Sequence, residues 1–171
     1  KEVNRKPIDN DFGEKITNIL TLANLSNGVE VLKLLSQAGL GIDSKNDKGF
    51  TALMYATAKG QREVVESLIS SGADVNDKDN NDFTVLMAAS KNGHKEVVEF
   101  LISSGAGVND QDNNGATALM VASANGHKEV VESLLSSRAD VKDKKGGVTA
   151  LIYASENGHK EVLNILGKAL L

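Results

Sequence analysis

The stretch TVLMAASKNGHKEVVEFLISSGAGV, Thr84 to Val108, carries two apolar stripes of different width on either side of an Asn-Gly break. In its second half Val97, Val98, Leu101 and Ile102 fall at i, i+1, i+4 and i+5, one face of a 3.6-residue helix, while Lys95, Glu96 and Glu99 take the opposite, wet face. In the first half Leu86, Ala89 and Ser90 form a narrow stripe of small residues, which lets neighbouring helices approach closely. Thr84 stands where an N-terminal cap is wanted. Gly93 ends the first helix, and Gly105 ends the second in the left-handed cap conformation. Neither helix can hide its apolar face alone.

The same frame begins at Thr51 as TALMYATAKGQREVVESLISSGADV, at Thr117 as TALMVASANGHKEVVESLLSSRADV and at Thr149 as TALIYASENGHKEVLNILGKALL, so the spacings are 33, 33 and 32 residues. A fainter copy, NILTLANLSNGVEVLKLLSQAGLGI, runs from Asn18 to Ile42. Five units of a helix pair plus a polar, turn-forming connection predict an all-α solenoid with projecting hairpin-like turns. The expected boundaries are about 16–45, 46–78, 79–111, 112–143 and 144–171, after a polar segment 1–15 that contains the only proline, Pro7. That segment reads as a tail, a linker or a cap, and Leu170 and Leu171 read as tucked against the last pair or as the mark of a truncation.

A helix pair with an extended turn differs from a tetratricopeptide unit, which has a short link, and from a leucine-rich unit, which carries strands. Asn46 to Val75, NDKGFTALMYATAKGQREVVESLISSGADV, resembles the ankyrin repeat pattern of a D-x-x-G-x-T-P-L-H turn and helix, a glycine, a second helix rich in Val, Leu and Glu, and a closing G-A-D-V-N. The resemblance covers about Ile16 to Leu171. Its proline is replaced by Ala52, Val85, Ala118 and Ala150, and its histidine by Met54, Met87, Met120 and Ile152, so apolar packing must replace the usual Thr-to-His hydrogen bond. Arg138 stands where Gly72 and Gly105 stand in earlier units, and the connection before Thr149 is one residue shorter, which makes the C-terminal end the irregular one.

The resemblance implies a concave groove, lined by turn tips and the exposed ends of first helices, that binds another protein. Register by register it would contain Lys48, Phe50 and Lys59; then Asn81, Phe83, Lys91 and Asn92; then Asn114, Ala116 and Asn125; then Val148, Glu156 and Asn157. Phe50 and Phe83, two of only six aromatics, share one turn register beside Lys59 and Lys91. They read either as interface anchors or as rings folded back over their own turns. Tyr55 and Tyr153 share a more interior register and are expected in the core, with Phe100 partly buried on the outer side. The implied function is a monomeric adaptor or scaffold without a cofactor, binding a partner protein most strongly at its second and third units.

DQDNNG, Asp110 to Gly115, opens like a calcium loop, with oxygen side chains at alternate places and glycine sixth, but its seventh, ninth and twelfth places are Ala116, Ala118 and Val121. A repeat-to-repeat turn explains it. The alternative is a calcium-modulated structural protein with weak sites between units at Asp77, Asp79 and Asn81 beside Asp110, Asp112 and Asn114. His94, His127 and His159 share one register, one unit apart, too far to converge on a metal, and read as solvent-exposed turn residues. No GxSxG, GxxxxGK[ST], HExxH or GxGxxG occurs, and units that repeat their chemistry argue against a catalytic site, which needs different groups to converge once. A mild net charge of -4 without a basic stripe points away from nucleic acid, and no apolar run is long enough to span a bilayer. Absence of cysteine leaves the redox compartment unread.

Overall fold

The computed structural model describes residues 8–25, 28, 30–144 and 149–171. Within them ten helices run in pairs: α1 (Ile8–Leu25) and α2 (Val31–Gln37), α3 (Ala52–Ala58) and α4 (Arg62–Ser70), α5 (Val85–Asn92) and α6 (Lys95–Ser103), α7 (Ala118–Ala124) and α8 (Lys128–Ser136), α9 (Ala150–Glu156) and α10 (Lys160–Ala169). Each helix packs on its pair partner, each first helix on the next first helix, and each second helix on the next second helix, which makes a two-row, all-α solenoid. The extended connections hold one antiparallel bridge among the described residues, Lys78 with Thr84.

The first helices start where threonine stops the chain in an extended conformation. Thr51, Thr84 and Thr117 each accept a hydrogen bond from the backbone N–H three residues on, at 3.3, 3.1 and 3.4 Å. Thr149 holds the same place and backbone shape, but its side chain makes no such bond. The second helices start without a side-chain cap; Glu63, Glu96, Glu129 and Glu161 sit in their first turns, where the helix dipole favours an anion.

Packing follows the expected stripes. Val64, Val65, Leu68, Val98, Leu101, Val131 and Leu134 are fully shut off from solvent, and so are the small residues Thr57, Ser90 and Ser123 between stacked first helices. The hydroxyls of those three find no hydrogen-bond partner among the described residues, so their positions select for size. Met54, Met87 and Met120 fill the family's histidine place at 5%, 0% and 2% exposure, as the apolar substitution demands. Ile152, in the same register, is 39% exposed because no described unit covers it.

The first helix begins at Ile8, inside the segment 1–15 read as a tail, a linker or a cap, and its Phe12 joins the core beside Ile16 of the first repeat. Residues 1–7, Pro7 included, lie outside the described residues. Leu170 and Leu171 do not tuck inward, being 39% and 109% exposed.

Two residues hold a left-handed backbone that suits glycine. Arg138 has φ 66° in the register of Gly72 and Gly105, and Asp82 has φ 59° in the register of Gly49 and Gly115. A Cβ at Gly72 or Gly105 would meet nothing within 4 Å, so the cost at Arg138 is backbone strain alone. Arg138→Gly should raise stability by about 1 kcal/mol and Asp82→Gly by less, because an aspartate tolerates this region through local hydrogen bonds; shifts in urea midpoint measure both. Hydrogen exchange should be fastest in α9 and α10 and slowest in α5 to α8, and uniform protection would contradict the reading of an exposed last unit.

Candidate functional site

The connections owe their shape to one side-chain oxygen per unit. Oδ1 of Asn46 accepts from the backbone N–H groups of Lys48 and Phe50 at 3.0 and 2.8 Å. Asp79 does the same for Asn81 and Phe83 at 2.7 and 3.0 Å, and Asp112 for Asn114 and Ala116 at 2.8 and 2.9 Å. Each turn is also tied to the next: Asn80 N–H donates to the Lys48 carbonyl at 3.0 Å, and Asn113 N–H to that of Asn81 at 2.9 Å. A ladder of side chains runs alongside, Lys45 to Asp77 at 2.6 Å, Lys78 to Asp110 at 3.7 Å, and Gln111 Nε2 to both Asp143 carboxylate oxygens at 2.9 Å. Asp77, Asp79, Asp110 and Asp112 therefore have structural work that accounts for them without an ion, and no three His, Cys, Asp or Glu side chains among the described residues are grouped to hold a metal.

The histidines are not solvent-exposed turn residues. His94, His127 and His159 are half-buried, and each ring reaches back across the unit boundary. Their Nε2 atoms lie 2.9, 2.9 and 3.0 Å from the carbonyls of Ala58, Lys91 and Ala124, so Nε2 carries the donated proton. The ring lies flat against the glycine that ends the preceding first helix. A Cβ built on Gly60, Gly93 or Gly126 would stand 2.6, 2.5 and 2.5 Å from the ring's Nδ1, whereas one on Gly158 would meet nothing within 4 Å. The sequence spacing shows the register of these residues but not the contact, because each glycine and its histidine are 33 or 34 residues apart.

Between turns and first helices lies a cleft of about 550 Å³, walled by Phe50, Tyr55, Phe83 and Ala88 and bounded by Asn81, Lys91, Asn92 and Asn114. An adjoining cleft of about 250 Å³ lies between Phe83, Lys91, Val121, Ala124, Asn125 and Tyr153. Phe50 and Phe83 are half-buried. Phe50 packs edge-on against Tyr55, centroids 5.9 Å apart and planes at 75°, and both phenylalanines still wall the first cleft. Tyr55 and Tyr153 are corrected from core to cleft lining. Both are half-buried at a place that neighbouring units fill with Ala88 and Val121. Lys48, Lys59, Glu156 and Asn157 are exposed outside the two clefts, Ala116 is buried at the second, and Val148 lies outside the described residues. Asn92, Asn125 and Asn157 donate their side-chain amides to carbonyls four residues back at 2.8 Å, which gives asparagine a helix-ending task at this register.

Leu22 and Leu25 were missed. Set on the 33-residue frame they share the registers of Tyr55 and Ala58, and they are 53% and 80% exposed on α1. Aligning the faint first unit would have found them. The outer side differs in kind: Arg62 bonds Glu66 at 2.6 Å and lies 5.8 Å over the Phe100 ring, and Lys128 pairs with Glu161 at 2.8 Å. Those carboxylate hydrogen bonds hold both cations above their ordinary pKa.

A family model for ankyrin repeats in three copies matches residues 4–79 and 86–169, and one for ankyrin repeats in many copies matches residues 59–102. A search of curated proteins found no match. No helix of the described residues is long and apolar enough to cross a membrane.

Gly93 and Gly158 have the same φ of 73°, so they isolate the histidine contact. Gly93→Ala should cost about 1 kcal/mol in backbone strain plus about 1–3 kcal/mol for displacing the His127 ring, and Gly158→Ala only the first. Equal losses in denaturant titrations would show that the ring contact contributes nothing.

Proposed function

The chain belongs to the ankyrin repeat family, and on that premise we propose that it is a non-enzymatic adaptor or scaffold holding a partner protein in the groove of its second and third units. Ankyrin repeats are generally protein–protein interaction modules. One observation carries the choice of surface: framework positions repeat and are buried, whereas two of the six aromatics, Phe50 and Phe83, stand half-exposed in one cleft. Rigid apolar side chains in a concavity are the groups that dominate interface energetics.

The chemistry of the units supports a binding role over a catalytic one. Asp79 and Asp112 are occupied with backbone N–H groups, Asp77 with a lysine and the histidine Nε2 atoms with carbonyls, so these repeated groups serve the array itself.

Replacing Phe50 or Phe83 with alanine should in each case weaken capture of the partner from a lysate of the source organism by roughly thirtyfold, from about 2 kcal/mol per hot spot, and replacing both should weaken it by up to about a thousandfold. Helical circular dichroism should stay unchanged, because neither ring is in the fully buried core. Equal capture by parent and variant would overturn the assignment, and capture that disappears with chelator in place of the rings would point to the aspartate turns.

A further inference from the structure

We infer that the occupant of this groove is an amphipathic helix of the partner, with two apolar side chains seven residues apart and a carboxylate between them; the inference rests on the groove reading above. The two clefts adjoin, and Phe83 and Lys91 belong to both. On either side of Lys91, in the same register, stand Ala58 in the first cleft and Ala124 in the second. One cation thus sits between two apolar hollows.

Like several other described cations, Lys91 has no carboxylate within 4 Å among the described residues, but it is the only cation that lines either cleft. Asp79 and Asp112 also line the first cleft, but one oxygen of each is held by two N–H groups of its own turn, which offsets part of their charge. In the second cleft Lys91 is the only charged residue of the lining, and its ammonium calls for an anion from outside.

Spacing selects the helix. First helices of successive units stack at about 8–10 Å, so the two hollows are about that far apart. In an α-helix, residues i and i+7 lie on one face about 10.5 Å apart, and residue i+4 lies on the same face about 6 Å along. In a strand, residues about 10 Å apart, three positions on, point to opposite faces. Only the helix brings apolar, acidic and apolar groups into one line in that order.

The test uses two synthetic peptides of about 15 alanine-rich residues, long enough to hold helix. They are identical, with two leucines seven places apart, except for glutamate or lysine at the fourth place after the first leucine. Each is titrated into the uniformly ¹⁵N-labelled chain and into Lys91→Gln and Lys91→Glu. Lys91 is exposed, so both variants should keep the fold. The glutamate peptide should bind the parent roughly fivefold more tightly than the lysine peptide, with shifts at Phe83 and Val121 amides. Lys91→Gln should level the two, and Lys91→Glu should reverse the order. Equal affinities for the parent, with the same amides shifting, would overturn the acidic-helix inference and leave the groove standing. Shifts confined to the outer helices, or none with either peptide, would overturn both.

Discussion

Beyond the longer α1, each unit of this chain is a pair of helices too short to be stable alone and apolar on faces its own partner covers only in part. Everything else follows from the need to cover those faces with the next unit. The second helices contribute Val64, Val65 and Leu68 and their counterparts, and the first helices contribute alanines and serines, because two helix backbones must come close there. A glycine at the end of each first helix then serves twice. It turns the chain with a left-handed backbone, and at Gly60, Gly93 and Gly126 the missing Cβ leaves room for the histidine ring of the following unit. That histidine returns a hydrogen bond to the helix it covers, so the boundary is sealed by packing and by a polar contact together.

Charge is distributed differently on the two sides. On the outer helices Arg62, Lys95 and Lys128 are each matched by a glutamate, and in the turns Lys45 and Lys78 are matched by aspartates of the next unit. Exposed pairs of this kind contribute little singly, but they satisfy the surface within the array. The inner side is matched less completely. Leu22, Leu25, Phe50, Tyr55, Phe83 and Tyr153 keep apolar surface in contact with solvent, and this supports the groove proposed above.

Much of the architecture was legible in the residues. The 33-residue frame, the threonine caps at Thr51, Thr84 and Thr117, and the strained Arg138 all appear where the pattern puts them, since caps, turns and helix periodicity act over a few neighbouring residues. The groove was legible in part. Phe50 and Phe83 were visible as rare aromatics in one register, and Lys91 as their charged neighbour. Tyr55 and Tyr153 were misread because helical periodicity says which face of a helix is apolar without saying whether another helix or solvent lies against it. Ile152 teaches the same lesson from the other direction: its place is buried as Met54, Met87 and Met120 in the three units before it, each of which has a described unit beyond it.

What the sequence by itself determined is the repeating unit, its number and its family, because each depends on local spacing repeated until chance is excluded. What only the tertiary structure decided is which residues touch across the repeat: His127 on Gly93, Asn113 on the carbonyl of Asn81, and Phe83 with Lys91 between two hollows. Those contacts join residues about one unit apart in the chain, or assemble a surface from several units. Their geometry is set by the distance and rotation between stacked helix pairs, a quantity that no single unit contains.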